Sequence, residues 1–103
     1  MAKSYSDKYL LSLANLNPKR LGVQLGKVCV EANLPPNLVA NTLGVHRMSV
    51  YYWFRGKAIN DKNANKVENF IEKVKTDLEG GVLPVPNTID AKKYLQTIHI
   101  DKI

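Results

Sequence analysis

An all-α fold, a compact bundle of about five short helices, is predicted by three features of this 103-residue chain. Apolar residues recur at helical spacing through most segments. Gly44, Gly56 and the Gly80-Gly81 pair stand where those periodic segments stop. Two-residue alternation, the mark of a half-buried strand, is confined to the closing "TIHIDKI", so the tail is read as a short helix or a strand.

The elements follow in order. Ser6 before "DKYLLSLAN" reads as a cap and a short apolar helix. In "NPKRLGVQLGKVCVEAN", Asn17 is placed to cap and Pro18 to take the first helical position. Leu21, Leu25, Val28 and Cys29 then share one face, while Gly22 and Gly26 weaken the helix in isolation, so packing must hold it. Pro35 and Pro36 exclude helix before them and permit a start directly after. Leu38, Val39 and Leu43 give the next helix a brief apolar face, and Gly44 suits a positive-φ stop. A further helix is expected from about Arg47 to Arg55. After a polar loop, Ala64, Val67, Phe70, Ile71, Val74 and Leu78 form an amphipathic stripe. "VLPVPN" reads as an extended linker, and Ala91, Tyr94, Leu95 and Ile98 allow one more short helix. His99 in the apolar tail is most simply structural.

Length and composition set limits. One domain with a single modest core is expected, and the 45% hydrophobic and 23% charged content is ordinary for a soluble globular chain. No apolar run is long enough to span a bilayer, and the start has no signal-peptide h-region, so a cytoplasmic protein is expected. Cys29 is the sole cysteine, which leaves no internal disulfide and fits a reducing compartment. With so few Cys and His no metal site is expected, and no cofactor or small-molecule ligand is indicated.

The net charge of +6 is unevenly spread. Between Pro18 and Lys57, Lys19, Arg20, Lys27, Arg47, Arg55 and Lys57 face only Glu31, whereas from Ala58 to Glu79 four lysines meet five acids. A basic balance gathered in one segment is the footprint of a polyanion-binding surface. Within that segment "GVHRMSVYYWFRGK" sets four consecutive aromatics between two arginines. At about 100° per residue, one helix cannot turn all four to the core. With Val50 inward, Trp53 and Phe54 lie within about 60° of it, whereas Met48, Tyr52 and Arg55 lie within about 40° of the opposite direction and Tyr51 at the margin. Trp53 and Phe54 are therefore expected in the core, and Tyr51 and Tyr52 on a contact surface.

Val39 to Trp53 also meets the requirements of two short helices crossing through a tight turn. Ala40 is small at the crossing, Gly44 serves the turn, and Val39, Leu43, Val45, Val50 and Trp53 close the wedge. "LPPNLVANTLGVHRMSVYYWFRGK" resembles the helix-turn-helix of the phage-repressor, or Cro-type, family. Leu34, Ala40, Leu43, Gly44, Val45, Val50, Trp53, Arg55 and Gly56 match its pattern in register, and with flanking helices the likeness runs from about Pro18 to Glu79. The family usually opens its first motif helix with a phosphate-touching residue such as Gln; here Pro36 stands there, with Asn37 beside it.

The resemblance implies sequence-specific binding of double-stranded DNA through the major groove by a phage or bacterial transcriptional regulator, acting as a homodimer inside a bacterial cell or infected host. Residues 1–80 would form the DNA-binding domain, and 81–103 a linker and tail, a candidate oligomerisation segment through the Ala91 stripe. Arg47 suits guanine O6 and N7. Met48, Tyr51 and Tyr52 face outward for bases, thymine methyls or phosphates. Ser49 and His46 lie near the helix start, where backbone N–H groups favour anions. Asn37, Arg55, Lys57, Lys19 and Arg20 are candidate phosphate contacts. Three rival readings are weaker. Tyr51 and Tyr52 are also typical protein-interface anchors. A viral DNA-packaging subunit of small-terminase type would use the same motif in a ring. An enzyme is not expected, because no nucleophile–base pair, paired acids or phosphate-cradling loop is evident, and His46 reads as a helix-entry residue.

Overall fold

Ser6 opens the first helix by accepting the Tyr9 amide on its hydroxyl at 3.1 Å. In the computed structural model, which describes residues 5–98, six helices follow in order. They are α1 (Asp7–Ala14), α2 (Leu21–Ala32), α3 (Pro36–Leu43), α4 (Arg47–Phe54), α5 (Asp61–Glu79) and α6 (Thr88–Gln96). The fold is thus all-α: five helices in the bundle as expected, and a sixth short helix in the tail. Asn60 and Asn87 cap α5 and α6 by accepting the amides of Asn63 and Asp90, satisfying donors that a helix start leaves orphaned.

Packing is organised by α2, which lies against α1, α4 and α5, while α3 packs on α4 and α6. The core is built from Leu25, Val28 and Cys29 of α2, Val39 and Leu43 of α3, Val50, Trp53 and Phe54 of α4, and Val67, Phe70, Ile71 and Val74 of α5. Every face the periodicity assigned inward is therefore used, although Leu21, Leu38, Ala64 and Leu78 are only half-buried.

Gly22 and Gly26 have a spatial reason. A β-carbon on Gly22 would lie 2.1 Å from the Trp53 carbonyl oxygen, and one on Gly26 would press on the Phe54 ring at 3.3 Å. The two glycines, one helical turn apart, seat the C-terminal end of α4. What propensity scores as weakness is the groove that receives the neighbouring helix.

Three expectations are corrected. First, α2 begins at Leu21 rather than Pro18. The Asn17 side chain takes the Lys19 amide at 3.0 Å and its carbonyl takes the Arg20 amide at 3.2 Å, closing a turn of its own. That is the local competition Asn side chains offer to a helix. Second, "VLPVPN" is not a free linker. Leu83 and Val85 are buried, the Val85 amide donates to the Ala32 carbonyl at 3.2 Å, and Asn33 Nδ2 donates to the Val85 carbonyl at 2.9 Å. Asn33 sits at φ 60°, ending α2 in a left-handed turn that turns its amide to this strap.

Third, the stripe assigned to oligomerisation is covered by its own chain. Ala91 and Leu95 are 0% and 4% exposed in the common core, and Tyr94 and Ile98 pack against it. Residues 83–96 therefore extend the 1–80 core, and the tail is helical as far as Gln96. The strand-like alternation reaches only Thr97 and Ile98 within the described residues, neither in a strand; the rest of it, with His99, lies outside them. No helix among the described residues is long and apolar enough to cross a membrane.

Candidate nucleic-acid interface

The turn between α3 and α4 is set by Gly44, left-handed at φ 71°. Its amide donates to the Asn41 carbonyl at 3.3 Å, and the next amide, of Val45, reaches back to the Ala40 carbonyl at 3.0 Å. This Schellman-type closure satisfies the last carbonyls of α3 and sends the chain across it. Lys66 of α5 adds its ammonium to the Leu43 carbonyl at 3.5 Å. Ala40 is fully buried beneath the crossing. The helix-turn-helix geometry predicted from Ala40 and Gly44 is present.

His46 then opens α4. Its Nδ1 accepts the Met48 amide at 3.1 Å, so the ring is the N-cap. The helix-entry role read from sequence is the one it fills.

Along α4 the aromatic run divides as the wheel predicts. Trp53 and Phe54 are 6% and 1% exposed, whereas Met48, Tyr51 and Tyr52 are 42%, 38% and 44% exposed. Arg47 and Arg55 are exposed at the two ends of this face, and Ser49 is half-buried beside it. Past the helix, Gly56 at φ 100° lets the Lys57 amide return to the Tyr52 carbonyl at 3.0 Å. That turn folds the Lys57 ammonium over the Tyr52 ring, 5.0 Å from its centroid. The cation–π contact holds an exposed ring and an exposed charge as one unit.

Lys19 and Arg20, far away in sequence, join this end of α4. Together with Lys57 they line a groove of about 270 Å³ between the start of α2 and the loop at Ala58 and Ile59. The turn that displaced the α2 start is what places them there. Asn37 is exposed on the first turn of α3. Pro36, in the position where a phosphate-touching residue was expected, is buried.

None of the basic candidates is neutralised: among the described residues the one ion pair is Lys73 with Asp77, on α5. The face therefore presents Arg47, Arg55, Lys57, Lys19 and Arg20 as charges available to a polyanion, around exposed tyrosines. Cys29, by contrast, is fully buried and its thiol is pushed up by that burial, so it stays protonated and unreactive.

Sequence reasoning missed α1 as part of this neighbourhood. Tyr5 and Tyr9 stack on each other at 5.3 Å between ring centroids, and both lean on Phe54 at 6.4 Å. Tyr5 also donates to the Leu34 carbonyl at 2.6 Å. The signal was Tyr5 and Tyr9 at helical spacing of four, but nothing in sequence says which helix they meet. Comparison with known proteins finds no matching family, curated protein or solved structure.

Proposed function

We propose that the protein binds double-stranded DNA sequence-specifically, with α4 in the major groove, and acts as a transcriptional regulator of phage or bacterial type. The observation that carries this reading is the division of the aromatic run. A helix anchored through Trp53 and Phe54 offers Met48, Tyr51 and Tyr52, rimmed by Arg47, Arg55 and Lys57, which have no ion-pair partner among the described residues. Exposed aromatic and basic groups together suit a polyanion that also carries bases, and the major groove admits one helix and offers distinct donor, acceptor and methyl patterns.

In this reading Arg47 contacts a guanine, and the tyrosines take a phosphate or thymine methyl. Lys57, Arg55, Lys19 and Arg20 position the domain on phosphates without reading sequence. The Lys57–Tyr52 pair and the Lys19–Arg20–Lys57 groove are supports for a single contact footprint running from α2 to the end of α4. Selection of bound duplexes from a random pool tests the proposal. An enriched motif that Arg47→Ala relaxes at one base pair is the expected result, and binding without any enriched motif contradicts sequence-specific recognition.

A further inference from the structure

Between α1 and the end of α4 lies a pocket of about 350 Å³ whose lining includes Tyr5, Tyr9, Ser12, Tyr51, Phe54 and Arg55. Its size is that of a small organic ligand. Three of its properties ask for one kind of occupant. Aromatic side chains share its walls with two serines, Leu16 and Pro36. Arg55 brings a guanidinium with no acidic partner among the described residues. The Tyr9 hydroxyl, at the same seam, is buried with no hydrogen-bond partner among the described residues, a state that costs free energy until an acceptor arrives. Burial, reinforced by Cys29, pushes the Tyr9 phenol up to about 12 against a smaller opposing pull from Arg55, so Tyr9 is a neutral donor.

α1 is also the least anchored wall: it packs on α2 and touches α4 through the tyrosine rings. The Tyr9 hydroxyl is buried at this seam, so occupation of the pocket requires α1 to shift enough to uncover it.

We propose that this pocket binds a small ring-bearing carboxylate and that its occupation competes with DNA. The ring lies against Tyr51 and the edge of Tyr5, while the carboxylate pairs with Arg55 and accepts the Tyr9 hydroxyl. Tyr51 and Arg55 belong equally to the proposed DNA face, so the two ligands cannot both hold them. The competition rests on the DNA-binding reading; the pocket does not.

Two titrations on the full chain separate these claims. In the first, backbone amide shifts are followed by NMR as benzoate, 4-hydroxybenzoate or indole-3-acetate is added without DNA. Saturable shifts confined to α1 and the second half of α4 are expected. Benzyl alcohol, a ring without the charge, should bind about tenfold more weakly, and Arg55→Gln should reduce benzoate to that level. Tyr9→Phe should weaken the carboxylates several-fold while leaving the fold and DNA affinity intact. Absence of saturable shifts with all three acids, or equal binding by Arg55→Gln, overturns the pocket. In the second, DNA is titrated with the tightest acid held about tenfold above its own Kd. Mutually exclusive binding raises the apparent DNA Kd about tenfold, and Tyr9→Phe shifts that effect to higher acid concentration. Unchanged DNA affinity with the acid bound overturns the competition alone, and acid binding by a chain that ignores DNA overturns the DNA reading alone.

Discussion

Gly22 and Gly44 are required for opposite reasons, and substitution separates them. Gly44 has nothing within 4 Å of a would-be β-carbon but holds φ 71°, so Gly44→Ala should cost only the left-handed strain, about 1–2 kcal/mol, and Gly44→Asn less. Gly22 has ordinary helical backbone but no room, and Gly22→Ala drives a β-carbon into the Trp53 carbonyl. Relief requires moving α2 off α4, so the cost should reach the upper end of overpacking, about 3 kcal/mol or more. Thermal melts of the two alanine variants should therefore rank Gly22→Ala as the more damaging, and the reverse order would mean that the α2–α4 contact is looser than described. Gly44 was legible in the sequence because a helix stop has a local signature. Gly22 was not, since its role is defined by a carbonyl far along the chain. The same distinction holds at the site: the inward and outward faces of α4 follow from a rotation of 100° per residue, whereas the groove that joins Lys19 and Arg20 to Lys57 depends on a tertiary contact.

α6 and the strap before it behave as part of the core, which reverses what an isolated apolar stripe suggests. Truncation after Gly80 removes Leu83, Val85, Ala91 and Leu95 from the packed interior. The shortened chain should lose cooperative melting or melt far below the full chain, since such removals cost about 2–5 kcal/mol for each large side chain. A truncated protein that melts like the parent would restore the tail to an accessory role. Periodicity found the helix but not its partner, because a stripe of apolar residues reads alike whether it meets its own chain or a second copy. The clasp between α5 and α6 adds a pH signature. Tyr94 donates to Asp77 at 2.5 Å, and with Lys73 at 3.1 Å this holds the Asp77 carboxyl below its usual range against a smaller opposing effect of burial. A carboxyl depressed in the folded state stabilises above its unfolded pKa of about 3.9 and loses that contribution as pH falls through the folded value. The stability gap between the parent and Asp77→Asn should stay level from neutral pH to about pH 5 and narrow below about pH 4. A gap that is unchanged into acid would place the contact's worth in the neutral hydrogen bond alone.

Arg47, Arg55, Lys57, Lys19 and Arg20 lie along α4 and at the start of α2, with no acidic partner among the described residues. Contacts by Arg47, Arg55, Lys57, Lys19 and Arg20 to phosphates or bases predict a slope of about −4 to −5 in log affinity against log salt on duplex DNA. Lys57→Ala should lower that slope by about 1 and weaken all duplexes alike. With the α6 stripe covered, any two-fold assembly on DNA must use other surface, and among the described residues Leu11, Val82 and Ile89 are the exposed large apolar groups outside the α4 face. The claim on which the rest depends is that the outer face of α4 reads DNA while its inner face holds the fold. Thermal melts paired with titrations of a selected duplex, on alanine variants of Tyr51, Tyr52, Trp53 and Phe54, test it most directly. Trp53→Ala and Phe54→Ala should cost about 3–5 kcal/mol of stability. Tyr51→Ala and Tyr52→Ala should stay within about 1 kcal/mol of the parent yet bind the duplex at least tenfold more weakly. Tyrosine variants that bind DNA as tightly as the parent while melting normally would contradict the account.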